Sequence, residues 1–221
     1  MARTSWIERY FSDADREAIR AATARAEART GGELVCYIVE RCDTYTGAVL
    51  RTALHGALIA SLAAALLHGI LGLWGLALLW IALPPALGAL LGWILVRAFP
   101  ALHRWMLSRD SVDRQVERRA ASAFLEEEIF ATRGRTGVLL FLTLFEHRVL
   151  IVTDKGWLER SDGDAWQAIG DRLADGLRQG DGARALIEAV EACGEHMASV
   201  MPRPEADSNE LSNEPRFRHD P

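Results

Sequence analysis

Asp154, Asp162 and Asp164 place three carboxylates within eleven residues, at the end of one apolar run and in the loop that follows it (RSDGDAW). Hard oxygen donors at this density could hold a divalent cation such as Ca²⁺ or Mg²⁺. Such an ion would polarise a phosphoryl oxygen and orient a water for attack. The spacing is not that of an EF-hand loop. Asp162 or Asp164 equally suits the N-cap of a helix beginning near residue 165. Other reactive side chains are less convergent. Glu126, Glu127 and Glu128 are consecutive, so on a helix they point in different directions and read as a solvated face. His147 falls in a turn between two apolar runs. Cys193 and His196 have the spacing of two ligands on a helix but lack a second pair. Ser161 has no recognisable His and Asp partners, and there is no Walker loop, no G-x-G-x-x-G and no Cys-based phosphatase loop.

The elements that must position these residues follow from periodicity. Ser12 and Asp15 form a capping-box pattern that starts a helix running to about Arg29, stopped by Gly31-Gly32. Residues 33–40 (ELVCYIVE) read as a strand buried on both faces. A helical pattern covers 111–133. Residues 137–145 and 148–153 read as two strands joined tightly at Glu146-His147, hence antiparallel. Helices are expected over 163–179 and 182–200, broken at Gly180-Asp181-Gly182. From Pro202 the chain is polar and Pro-rich, so 202–221 is expected to be a disordered tail. Residues 1–11 carry Trp6, Ile7, Tyr10 and Phe11 at helical spacing, suiting a short packing or interfacial segment.

Between Arg51 and Arg97 lie 45 residues without one Asp, Glu, Lys or Arg, among them 15 Leu, 4 Ile and 1 Val. One helix of that length would reach roughly 68 Å, about twice a bilayer core. Two helices, at about 53–71 and 76–97, fit. Twenty large aliphatic residues contribute on the order of −6 to −12 kcal/mol to insertion. Pro84 and Pro85 should kink the second span or shift its start. Gly88 and Gly92 form a small-xxx-small pair suited to helix packing. Arg41 and Arg51 precede the hairpin. Arg97, Arg104, Arg109, Arg114, Arg118 and Arg119 follow it, and its connector is uncharged. Positive residues remain on the cytoplasmic side, so both termini and the polar head are expected in the cytoplasm at the inner membrane. Trp105 suits the inner interface and Trp74 the outer one. A lipid bilayer is the implied partner. The net charge of −5 gives no footprint for nucleic acid. Three cysteines provide no disulfide framework, and Cys36 reads as a small core residue.

The expected organisation is therefore an α/β head in two parts, 1–50 and 101–201, with a transmembrane hairpin (51–100) inserted after the first strand. If residues 33–40 and 137–153 share a sheet, the insertion must cross the bilayer an even number of times.

FSDADREAI (11–19), RTGGELVCYIV (29–39), TRGRTGVLLFLTLFEHRVLIVTDKGW (132–157) and GARALIEAVEACG (182–194) together resemble the TPM-domain family, also known as TPM phosphatase. The most specific part is 136–157, with Gly137, Glu146, Arg148, Val149, Asp154 and Gly156 at the family's positions. Thr136 stands where many members carry an acidic residue, and Asp154-Lys155 where many carry Gly. The resemblance implies an α/β/α sandwich. For function it implies an accessory or binding module of a membrane complex, with a membrane-protein partner, or a divalent-metal-dependent phosphatase using Asp154, Asp162 and Asp164.

Overall fold

The computed structural model describes residues 6–71, 77–158, 160, 161, 163–204 and 209–219. They fall into two compact units, Met1–Asp43 with Asp113–Pro221, and Thr44–Val112. In chain order the elements are α1 (Trp6–Tyr10), α2 (Asp13–Glu27), β1 (Glu33–Val39), α3 (Thr46–Leu71), α4 (Ala77–Ala98), α5 (Pro100–Trp105) and α6 (Arg109–Glu126). A 3₁₀ turn (Ile129–Ala131), β2 (Gly137–Thr143), β3 (Arg148–Thr153), α7 (Lys155–Leu158), α8 (Gly163–Gln179), α9 (Gly182–Val200) and β4 (Arg216–Arg218) complete it.

The first unit is built on a four-stranded mixed sheet of order β3-β2-β1-β4. β1 runs parallel to β2, with Glu33 opposite Gly137 and Val39 opposite Thr143. β2 and β3 are antiparallel, as the short link predicts. Every residue of β1 and β2 is buried. Leu34, Cys36, Ile38, Val138, Leu140 and Leu142 face a core supplied by α2, α8 and α9, including Ile19, Ala26, Leu173, Val190 and Met197. Ile7 and Phe11 also enter this core, so the amphipathic start of the chain is a packing segment. On the other face Tyr37 stacks on Phe141 at 5.8 Å. There α6 contributes buried Val116, Ala120 and Ala123, and sets Arg119 over the Tyr37 ring.

The Ser12 capping box forms in full, its hydroxyl accepting from the Asp15 N–H while the Asp15 carboxylate accepts from the Ser12 N–H. The helix expected over 111–133 ends at Glu126, because Glu128 takes φ +52°, outside the helical region. The tail expected to be disordered is also corrected. Pro202 bridges Thr30, and residues 216–218 form a fourth strand parallel to β1. The alternation Arg-Phe-Arg sends Phe217 to the core face and the arginines to the other, which a count of polar residues overlooks. All three cysteines are free thiols, with Cys36 and Cys193 fully buried and Cys42 half-buried. Burial pushes the Cys36 thiol up to about 12 and raises those of Cys42 and Cys193 as well.

The second unit holds two helices that are long and apolar enough to cross a membrane by length and composition. α3 has 26 residues, about 39 Å, and α4 has 22 residues, about 33 Å. Their aliphatic side chains face outward, with Ile59 at 67%, Ile70 at 71% and Ile81 at 71% exposure. α4 runs through both Pro84 and Pro85. The connector and Trp74 lie outside the described residues; Trp105 is exposed. The unit extends beyond the expected 51–100, because the helix already begins at Thr46 and Tyr45 packs edge-on against His103 at 6.2 Å.

The pair is joined through glycine. A Cβ at Gly88 would meet the Gly56 carbonyl and the Ala60 methyl, and one at Gly92 would lie 2.6 Å from the Thr52 carbonyl oxygen. The small-xxx-small pair is thus a crossing between α3 and α4. Gly88→Leu is expected to cost about 1–3 kcal/mol through forced separation of the helices. Gly69→Ala, whose Cβ meets only open space, should be neutral or slightly stabilising. Denaturation of both variants in detergent micelles, followed by helicity, checks the difference.

Candidate functional site

Asp154 follows the last residue of β3, and its N–H donates to the Gly137 carbonyl at 3.0 Å. Its side chain is 3% exposed and meets Arg135 in a two-pronged ion pair. Arg135 Nε donates to Oδ2 at 2.7 Å and Nη2 to Oδ1 at 3.0 Å, while the Lys155 N–H donates to Oδ1 at 2.7 Å. Such a fork fixes the carboxylate plane as well as its charge. Arg135 reaches it from a turn in which its own φ is +53°. Gly156 lets that turn approach, since a Cβ there would lie 2.6 Å from the Arg135 carbonyl oxygen. Both carboxylate oxygens are committed to a cation the chain supplies itself, so an added divalent ion must compete with Arg135.

Asp164 is exposed in the first turn of α8, where negative charge complements the helix dipole. Asp162 lies outside the described residues. Among the described residues no group of three His, Cys, Asp or Glu side chains could hold a metal ion. The three consecutive glutamates diverge as expected, but only in direction. Glu126 pairs with Arg119, whereas Glu127 is nearly enclosed between Arg216 and Arg218 and is not a solvated side chain. His147 sits in the β2–β3 turn with φ +52°.

One pairing escaped the sequence because 35 residues separate its members. Ser161 Oγ lies 2.6 Å from His196 Nε2, and Trp166 Nε1 donates to the same Oγ at 2.7 Å. The Trp166 ring stands edge-on to His196 at 4.7 Å and to Trp157 at 5.9 Å. Trp157 Nε1 in turn donates to the Thr136 carbonyl at 2.8 Å. With an indole N–H directed into it, Oγ is a poor nucleophile. No carboxylate among the described residues orients His196, so the group lacks the third member of a triad. It ties the loop before α8 to α9. Cys193, one turn earlier on α9, is buried in the core and shares no ligand with His196.

Beside these ties runs a groove of about 410 Å³, lined by Val149, Leu150, Ile151 and Thr153 of β3 and by Gly163, Trp166, Gln167, Gly170 and Asp171 of α8. β3 is an edge strand and all six of its residues are half-buried. Its ion-paired Arg148 meets Asp113 at 2.9 Å, and 149–153 carries no charge. The Asp154–Arg135 pair and the Ser161–Trp166 tie hold the two walls at one end of this groove.

The most perturbed acid lies elsewhere. Glu27, 7% exposed at the end of α2, accepts the Leu34 N–H at 2.9 Å through Oε1, while its buried Oε2 makes no close hydrogen bond among the described residues. Burial first, and the Glu33 carboxylate as a lesser cause, push it from the ordinary 4.5 up to about 8.

The fold is similar to that of the BA42 protein from the psychrophilic bacterium Bizionia argentinensis, solved by NMR. The TM-score is 0.59 and the identity 16%, over 98% of this chain and 99% of that one. At that identity the likeness concerns the fold alone. No family model matches the chain, and no curated protein matches it.

Glu27 yields a pH prediction. Its folded pKa lies above its unfolded one, so its contribution to stability is complete below about 4.5 and is lost as pH rises through about 8. Glu27→Gln keeps the acceptor for Leu34 and removes the titration. The variant should be more stable than the parent at pH 8 by on the order of a few kcal/mol, and the advantage should vanish near pH 4. Urea denaturation across that range measures it.

Proposed function

We propose that this chain is a TPM-like α/β/α module, anchored in the inner membrane by the α3–α4 hairpin, that acts as a binding or accessory component of a membrane complex. The observation that carries the reading is the Arg135–Asp154 fork. The buried carboxylate best placed for metal chemistry is already neutralised by a guanidinium, so the site resembles a structural clasp. Beside it lies the edge of β3, uncharged over residues 149–153, whose main-chain groups only an extended segment can use in full. We assign that edge to an extended apolar segment of a membrane-protein partner. The arginines flanking the hairpin support a cytoplasmic head.

The second reading, a divalent-metal-dependent phosphatase, is favoured by the acidic run Asp154, Asp162 and Asp164. It requires an ion to displace Arg135 from Asp154.

Three measurements test these assignments. Purified in mild detergent, the full chain should retain a membrane-protein partner in fixed stoichiometry. Leu150→Arg, at a groove position that does not pack against the main core, should lose that partner while its melting temperature stays within a few degrees of the parent. Hydrolysis of a generic phosphoester should be equally slow for the parent, Asp154→Asn and chelator-treated protein; a rate that falls in the latter two establishes the phosphatase instead. A fluorescent protein fused after Phe99 should light up, whereas alkaline phosphatase fused there should be silent; the opposite pattern inverts the topology.

A further inference from the structure

β1 has two unlike neighbours. β2 pairs with its whole length, whereas β4 pairs over three residues only, Arg216 with Tyr37, Phe217 with Ile38 and Arg218 with Val39. What fixes β4 is chiefly its side chains. Glu127, whose side chain is 11% exposed, receives Arg216 Nε at 2.7 Å and Arg218 Nη2 at 3.1 Å. Phe217 turns to the opposite face, 5.4 Å from the Phe11 ring, under the Arg16 guanidinium at 4.7 Å. The Glu40 N–H closes the end on the Arg218 carbonyl at 3.1 Å. Upstream, the Glu33 carboxylate receives the N–H groups of Glu210 and Leu211.

This is how a sheet edge reads a peptide. Main-chain bonds give the direction, a buried acid selects two cations at i and i+2, and a pocket on the other face selects the aromatic residue between them. We propose that the side of β1 away from β2 is a recognition site for an extended Arg-aromatic-Arg segment, and that its ligand is residues 216–218 of this chain, exchangeable between two copies. Exchange requires no contact absent from the structure: the bonds made within one copy are remade between two. Held in one bilayer, copies meet at high effective concentration, which favours the bimolecular form. The inference concerns the edge opposite the β3 groove and stands or falls independently of it.

The test uses the full chain in nanodiscs and a labelled peptide of residues 213–219, NEPRFRH. One variant (Arg216→Glu, Phe217→Ala, Arg218→Glu) vacates the site; another (Glu127→Arg) spoils it but keeps the segment. The vacated variant should bind the peptide. The parent should bind it about a hundredfold more weakly, because its own segment competes from a tether. The spoiled variant should not bind it. Mixed together in one detergent solution and reconstituted, the two variants should associate, whereas neither should self-associate. Phe217→Ala alone, which leaves both ion pairs, repeats the measurement with the least disturbance of the sheet. Failure of the folded vacated variant to bind, or equal binding of a peptide with both arginines changed to glutamate, overturns the recognition site. Peptide binding without association of the mixed variants overturns the exchange.

Discussion

The parallel pairing of β1 with β2 is the constraint on which everything else rests. A seven-residue strand buried along its whole length cannot satisfy its backbone alone, and its partner begins 98 residues after it ends, with Gly137 opposite Glu33. Whatever lies between must leave the head and come back to it. A span of 45 residues without a formal charge lies between. A bilayer entered by that span must be left on the side of entry, so the even number of apolar helices and the mixed sheet are two expressions of one requirement.

Much of this could be read from the residues because the signals were local. The Ser12–Asp15 box, the uniformly apolar strands, the tight β2–β3 link and the Gly88–Gly92 spacing each report a physical preference acting within a few positions. What was hidden was joined across long stretches of chain. Nothing near Asp154 announces that Arg135 will fold over it, and nothing near Ser161 points to His196. Polarity and proline suggested that residues 202–221 would not fold. The decisive pattern was shorter than any composition window, one aromatic residue between two arginines facing an acid 89 residues away.

The candidate site follows the same logic. Its charged groups are spent on closure: Asp154 on Arg135, Glu127 on Arg216 and Arg218, Glu126 on Arg119. Ion pairs of this kind add little net stability where they are exposed, but they specify which loop meets which. The apolar surface left over lies along one strand edge and along the outer faces of two helices.

The three thiols have a practical consequence. Two are sealed in the core, the third is half-covered, and burial keeps all of them protonated. Maleimides and oxidants attack thiolates, so the natural chain offers them almost no target. A single cysteine introduced at an exposed position of the head, such as Gln179, would therefore carry a spin label or fluorophore nearly free of background, without prior removal of the native residues.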